Sequence, residues 1–201
     1  MDIPGGNLSK TVFAMKTCVF ITGTNSVGKT SLAKALIGLF GGIEEATKEL
    51  TICRDRRVCF AGRYSDESRY GGVDAFNCTR VLPAVVKRGL ETSEVVICEG
   101  SYLDTFGNNL INAMFQAQKY LIVFLYAPGA IIHQRLLDRG KKGCSPQTLP
   151  KQKNVLRAAK KWAEIGVPVQ CCNTGNIPFD EELENVYNLI CKTAWGDEFI
   201  Q

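Results

Sequence analysis

Gly23-Thr24-Asn25-Ser26-Val27-Gly28-Lys29-Thr30 fits the phosphate-binding loop pattern G-x-x-x-x-G-K-[ST] at every fixed position. The apolar run Cys18 to Thr22 before it has the composition of a buried parallel strand, and Ser31 to Phe40 after it carries apolar residues at helical spacing. Strand, glycine loop and helix in that order make a cradle for phosphate. The glycines let successive N–H groups turn inward, and the helix adds its positive N-terminal end. Gly23 to Ser31 therefore point to a nucleoside triphosphate, with ATP and Mg²⁺ as the expected ligands. Lys29 is placed to bridge the β and γ phosphates. Thr30, with Ser31 as the lesser alternative, offers a hydroxyl to the metal, a hard cation that prefers oxygen. A glycine-rich turn with a chance lysine is the competing reading, and it does not require the flanking strand and helix.

A chain of 201 residues with 45% hydrophobic content suits one compact domain. Residues 15–201 are expected to form it. Residues 1–14, weakly patterned, are expected to be a flexible tail, with Met15 standing like an alternative start. The net charge of +4, from 24 basic and 20 acidic residues, is too mild to identify a polyanionic partner. Its distribution is uneven, because Arg54, Arg56, Arg57, Arg63 and Arg69 cluster while Asp180, Glu181, Glu182 and Glu184 make the C-terminal end acidic. The nine cysteines are scattered without a C-x-x-C pair, and the single histidine, His133, stands alone on an expected helix. That pattern suits reduced core cysteines better than a disulfide framework or a zinc site. No stretch approaches the about 20 apolar residues of a membrane span, and residues 1–14 lack the apolar centre of a signal peptide. The expectation is a cytoplasmic protein without a membrane partner.

Apolar strands and amphipathic stretches alternate after the loop. Buried runs are expected at 94–98, 120–126 and 167–171, and helices at 80–89, 108–118, 130–139, 150–165 and 180–191, with Gly89, Gly140 and Gly166 as C-terminal caps. Glu49 to Cys53 and Val58 to Ala61 flank the polar turn Arg54 to Arg57 and read as a hairpin. The predicted fold is a three-layer, doubly wound α/β domain with a mostly parallel five-stranded sheet and a small hairpin insertion. Glu99 directly follows the run 94–98, at the carboxyl end of a parallel strand where ligands gather. It is the candidate acid for the metal environment, through water or by a hydrogen bond to Thr30. An acidic residue ending a strand by chance is the alternative.

Leu121 to Pro128, followed by Ala130 to Gly140, resembles the fourth strand and lid-bearing helix of small P-loop kinases that act on nucleosides, nucleotides and similar metabolites. The resemblance covers residues 17 to about 191. It implies that Arg139 reaches the transferring phosphates from a lid near 139–150, with Arg135 one turn earlier. A guanidinium fork suits charge spread over equatorial phosphoryl oxygens. Lys153 and Arg157 are either secondary phosphate contacts or a solvated helix face. Cys171 to Gly175, with Asn173 and Thr174, resembles the segment that walls the adenine in these kinases. The chain lacks the N-K-x-D motif that reads guanine, which counts weakly against a GTPase.

The acceptor is expected between the hairpin and the helix after Thr79, at Gly62-Arg63-Tyr64 and Gly71-Gly72-Val73-Asp74. Asp74 offers a carboxylate to orient or deprotonate a hydroxyl, the paired glycines allow close backbone approach, Arg63 and Arg69 could meet phosphates, and Tyr64, Tyr70 or Phe76 could stack on a base. A polar loop with a glycine turn and a capping aspartate is the bland alternative. The pattern G-x-Y then G-G-x-D resembles bacteriophage 5-hydroxymethyluridine DNA kinases, which implies transfer to the hydroxymethyl group of 5-hydroxymethyluracil in DNA, with Asp74 as base, in the host cytoplasm. Arg54-Asp55 loosely resembles the R-D pattern of 5′-hydroxyl polynucleotide kinases, making Asp55 the competing base. A nucleoside, nucleotide or other small-molecule kinase is the broad alternative. A nucleotide-dependent switch or ATPase is the reading from another class.

Overall fold

The computed structural model describes residues 15–55, 57–65, 71–76, 79–143 and 148–197. Strand β1 (Thr17–Gly23) leads through the loop into helix α1 (Lys29–Leu39), followed by β2 (Ile43–Ala46), β3 (Leu50–Cys53) and β4 (Val58–Ala61). After a 3-10 turn at Gly72–Phe76 come α2 (Leu82–Thr92), β5 (Val95–Glu99), a second 3-10 turn at Ser101–Leu103, α3 (Asn108–Met114) and β6 (Lys119–Tyr126). The chain continues with α4 (Gly129–Asp138), α5 (Thr148–Glu164), β7 (Val169–Asn173) and α6 (Phe179–Trp195).

The strands form one seven-stranded sheet in the order β2-β3-β4-β5-β1-β6-β7. From β4 to β7 all neighbours are parallel, whereas β2, β3 and β4 pair antiparallel. The expected five-stranded sheet is thus corrected to seven. The hairpin is no insertion, because β4 continues the parallel sheet beside β5. The added strand, β2, has all four residues exposed and is held through its backbone by β3, so it leaves no hydrophobic alternation to read.

Every residue of β1 is buried, as expected for a central strand covered on both faces. Val19 and Ile21 join one core with Leu32 and Leu36 of α1, Ile132 of α4 and Val186 and Ile190 of α6. Cys18 and Phe20 face the other, with Val85 and Val86 of α2, Leu110 and Met114 of α3 and Trp162 of α5. Three layers follow from this alternation. Gly140 and Gly166 adopt the left-handed backbone expected of caps. Gly89 does not: α2 runs on to Thr92, and a Cβ at Gly89 would lie 2.7 Å from Val96 Cγ2, so this glycine serves close helix-to-sheet packing.

The chain passes from β1 out to the β2-β3-β4 side and later returns across β1 to β6, so β1 lies at the topological switch point. The carboxyl ends of β1 and β5 open a crevice there, where α/β sheets bind ligands. Asp55 and Arg57 lie at the opposite end, where the Arg57 carbonyl accepts the Glu94 and Val95 N–H groups.

Candidate functional site

The loop leaving β1 turns through Ser26 and Gly28, both at positive φ, into the N-terminus of α1. Val27 is buried in the core and anchors the loop. Lys29 is also buried, and its Nζ donates to the Thr24 carbonyl at 2.9 Å. Burial lowers the Lys29 pKa, while Glu99 and Asp74 oppose that shift by favouring the charged ammonium. Asn25, Ser26, Gly28, Lys29, Thr30 and Ser31 line a cavity of about 320 Å³ together with Asp74, Glu99, Arg139 and Lys141.

Glu99, only 1% exposed, sits at the centre of this arrangement. Its Oε1 accepts from Thr30 Oγ1 at 3.2 Å and its Oε2 from Tyr64 Oη at 3.0 Å. Burial pushes its pKa up to about 6, opposed chiefly by the ammonium of Lys29. Hydroxyl and carboxylate oxygens side by side at a phosphate loop are the hard donors that suit Mg²⁺.

The segment expected to meet the acceptor packs against Glu99 through Gly72, and Gly62 packs on Gly72 in turn. Gly72 has φ +70°, and a Cβ there would lie 2.2 Å from the Glu99 carbonyl oxygen, while one on Gly62 would lie 2.3 Å from the Gly72 carbonyl oxygen. The Tyr64 ring closes over Gly71 and is 1% exposed, so it is not presented for stacking on a base. Asp74 follows in the 3-10 turn, its Oδ1 accepting from the Ser101 N–H at 2.7 Å and the Tyr102 N–H at 3.2 Å. This approach requires Gly100, where a Cβ would lie 2.6 Å from Asp74 Oδ1.

Asp74 also borders a second, larger cleft of about 850 Å³, lined by Asn25, Ser101, Tyr102, Asp104, Lys151 and Asn154 among others. Asn25, Asp74 and Ser101 are common to both cavities, and Ser101 Oγ donates to Asn25 Oδ1 at 3.0 Å. Across the larger cleft Lys151 of α5 pairs with Asp104 at 3.1 Å. No local sequence pattern marks Lys151 for this cleft, because its partner lies 47 positions away.

On the other side of the loop, Arg139 and Ser26 border a cleft of about 320 Å³ that includes Val27, Arg135, Thr174, Ile177, Phe179 and Glu182. Arg135 donates to Thr174 Oγ1 at 2.9 Å and to the Thr174 carbonyl at 2.7 Å, fixing its guanidinium. Asn173 turns away, bonding the Gly175 N–H and lining a neighbouring cavity at β7.

Several expected residues do not join these cavities. Arg63 is exposed and borders none of them, and Lys153 and Arg157 lie on the exposed face of α5. Asp55 is locked by Arg57 through bonds of 3.0 and 2.8 Å, at the end of the sheet away from Lys29. Arg56, Arg69 and Tyr70 lie outside the described residues, as do residues 1–14 and positions 144–147 of the expected lid.

No family model and no curated protein matches the chain. Solved structures do match its fold. A sugar kinase from Janibacter sp. HTCC2649 is 13% identical with a TM-score of 0.51, over 89% of this chain and 96% of that one. The YorR protein of Bacillus subtilis, in complex with phosphorylated GDP, is 15% identical with a TM-score of 0.52, over 88% and 96%. A shikimate kinase from Acinetobacter baumannii in complex with shikimate is 14% identical with a TM-score of 0.50, over 91% and 97%. The likeness is one of fold: the chain has the three-layer fold of P-loop kinases. Among the described residues, no helix is long and apolar enough to cross a membrane.

Proposed function

We propose that the protein is an ATP-dependent kinase that transfers the γ-phosphoryl group to a hydroxyl of a small polar acceptor of the nucleoside, sugar or shikimate kind. The observation that carries this reading is the position of Asp74, which borders both the phosphate cavity beside Lys29 and the larger cleft beyond it. An acceptor in the larger cleft would bring its hydroxyl to the Asp74 carboxylate next to the loop. Oδ1 is held by two backbone N–H groups, and Oδ2 is not engaged in a hydrogen bond among the described residues. That oxygen is the one available to take the hydroxyl proton as the acceptor oxygen attacks in line.

Lys29 leaves the Thr24 carbonyl to meet the β and γ phosphates, a move within reach of its flexible stem. Arg139 and Lys141 approach the same cavity from the end of α4 and balance charge on the transferred group. Thr30 and Glu99 would hold Mg²⁺, Glu99 directly or through water, and when bound the metal would neutralise charge on the phosphate oxygens. The mixed lining of the larger cleft, with Asp74, Asp104 and Lys151 beside Tyr102 and two asparagines, matches a polar, hydroxyl-bearing compound. The sugar and shikimate kinases that share the fold support the same class.

A second reading keeps the mechanism and changes the acceptor to the 5-hydroxymethyl group of 5-hydroxymethyluracil in DNA. It is favoured by the close packing of the segment that carries that resemblance, in which Gly62 packs on Gly72, Gly72 and Tyr64 meet Glu99, and Asp74 follows. Such a base would have to leave its stack to reach the buried phosphate site. The location of Asp55 gives no support to the 5′-hydroxyl polynucleotide reading.

The test is transfer of labelled γ-phosphate from ATP to a panel of nucleosides, sugars, shikimate, 5′-hydroxyl oligonucleotides, and duplexes containing thymine or 5-hydroxymethyluracil. Label in a free small molecule establishes the first reading. Label confined to the hydroxymethylated duplex establishes the second. ATP hydrolysis without transfer to any acceptor, unchanged in Asp74→Asn, would return the protein to the switch or ATPase class.

A further inference from the structure

Among the described residues that line the larger cleft, three are charged: Asp74, Asp104 and Lys151. Lys151 is already spent, because its Nζ lies 3.1 Å from Asp104 Oδ2, on a side chain only 13% exposed. The pair cancels, and the Asp74 carboxylate is left over. Cations stand in the neighbouring phosphate cavity, at Lys29, Arg139 and Lys141, but none of the three lines the larger cleft. Under the kinase reading they answer the triphosphate. Arg157 comes near by donating to Asn154 Oδ1 at 3.2 Å, yet it stays on the exposed face of α5 and does not line the cleft.

A negatively charged acceptor would meet this lining at a double disadvantage. Its charge would stand near the Asp74 carboxylate, which has to be ionised to take a proton, and near the incoming γ-phosphate. To recruit Lys151 it would have to displace Asp104, leaving a largely buried carboxylate without its cation. An uncharged acceptor avoids both costs. The ion pair stays closed, and Tyr102, 44% exposed at the cleft, offers a ring face and a hydroxyl to a neutral body.

We propose that this cleft selects acceptors whose part inside it carries no negative charge, with Asp104 enforcing the choice by holding Lys151. The acceptor is then an uncharged hydroxyl compound of the sugar or nucleoside kind. The inference rests on the kinase reading and narrows it, removing acceptors that would put a carboxylate or a phosphate into the cleft.

The experiment compares transfer of labelled γ-phosphate from Mg²⁺-ATP to carboxylates and to their own amides, which keep the shape and every hydroxyl while removing the charge. The pairs are glucuronate with glucuronamide, shikimate with its amide, and 5-carboxy- with 5-carbamoyl-2′-deoxyuridine. In each pair that accepts label, kcat/KM is expected to be at least about tenfold higher for the amide. Asp104→Asn keeps the shape of the side chain and releases the Lys151 ammonium, and it is expected to move that ratio at least about fivefold toward the carboxylate. A smaller preference in the wild type overturns the proposal, and so does a ratio that Asp104→Asn leaves unmoved. The wild-type comparison needs no variant and decides by itself where Asp104→Asn does not fold. Failure of the kinase reading looks different: no label enters any of these compounds, whatever their charge, and the proposal falls with it.

Discussion

Thr30 and Glu99, 69 positions apart in the chain, meet through a 3.2 Å hydrogen bond from hydroxyl to carboxylate, while Tyr64 holds the other carboxylate oxygen. The contact joins the start of α1 to the end of β5. It ties one buried acid to the glycine loop through Thr30 and to the segment bearing Gly62 and Gly72 through Tyr64.

Glu99 gives the fold a pH-dependent stability. Its folded pKa of about 6 lies above the ordinary 4.5, so the folded state binds the proton more tightly than the unfolded one. This contribution is fully present below pH about 4.5 and is lost as pH rises through about 6, a change of about 2 kcal/mol. Urea denaturation of the metal-free protein is expected to show that fall, and Glu99→Gln to abolish it. An unchanged slope in Glu99→Gln would assign the proton to another group.

Asp74→Asn keeps an oxygen for the Ser101 and Tyr102 N–H groups but removes the proposed proton acceptor. Transfer is expected to fall by about 10² to 10⁴ in kcat, with nucleotide affinity within about twofold of wild type. Loss of nucleotide binding in this variant would contradict the role assigned to Asp74.

Lys29→Ala removes the ammonium from the phosphate cavity. Turnover is expected to drop below detection, while the circular dichroism spectrum and melting temperature stay close to wild type, since Lys29 makes its side-chain bond within its own loop. Residual turnover near the wild-type level would exclude the loop as the phosphate site.

Gly72→Ala places a Cβ 2.2 Å from the Glu99 carbonyl at a backbone φ of +70°. The expected cost is at least about 2 kcal/mol in urea denaturation. Because the displaced atom belongs to Glu99, the folded fraction is also expected to bind Mg²⁺-nucleotide more weakly. A variant with wild-type stability would mean that the segment shifts freely.

The phosphate loop, its strand and its helix were legible because local spacing alone defines them, and the parallel strands β1, β5 and β6 were legible because burial on both faces leaves continuous apolar runs, as at Phe20 and Val123. The exposed strand Ile43–Ala46 was not, since it is held through backbone pairing. Tyr64 looked like a surface aromatic for stacking, and only the fold shows its hydroxyl spent on Glu99. Lys151 escaped for a related reason: its pairing depends on a neighbour brought from a distant segment, Asp104.

The close glycine contacts among Gly62, Gly72 and Glu99 mean that the acceptor segment cannot be exchanged as a cassette. A chimera importing a foreign loop there would bring its own side chains into the backbone of β5 and displace Glu99 along with whatever the loop was meant to change. Under the proposed kinase reading, retuning the choice of acceptor therefore belongs on the facing wall, at Tyr102, Asp104, Lys151 and Asn154, where substitutions reshape the cleft without displacing Glu99.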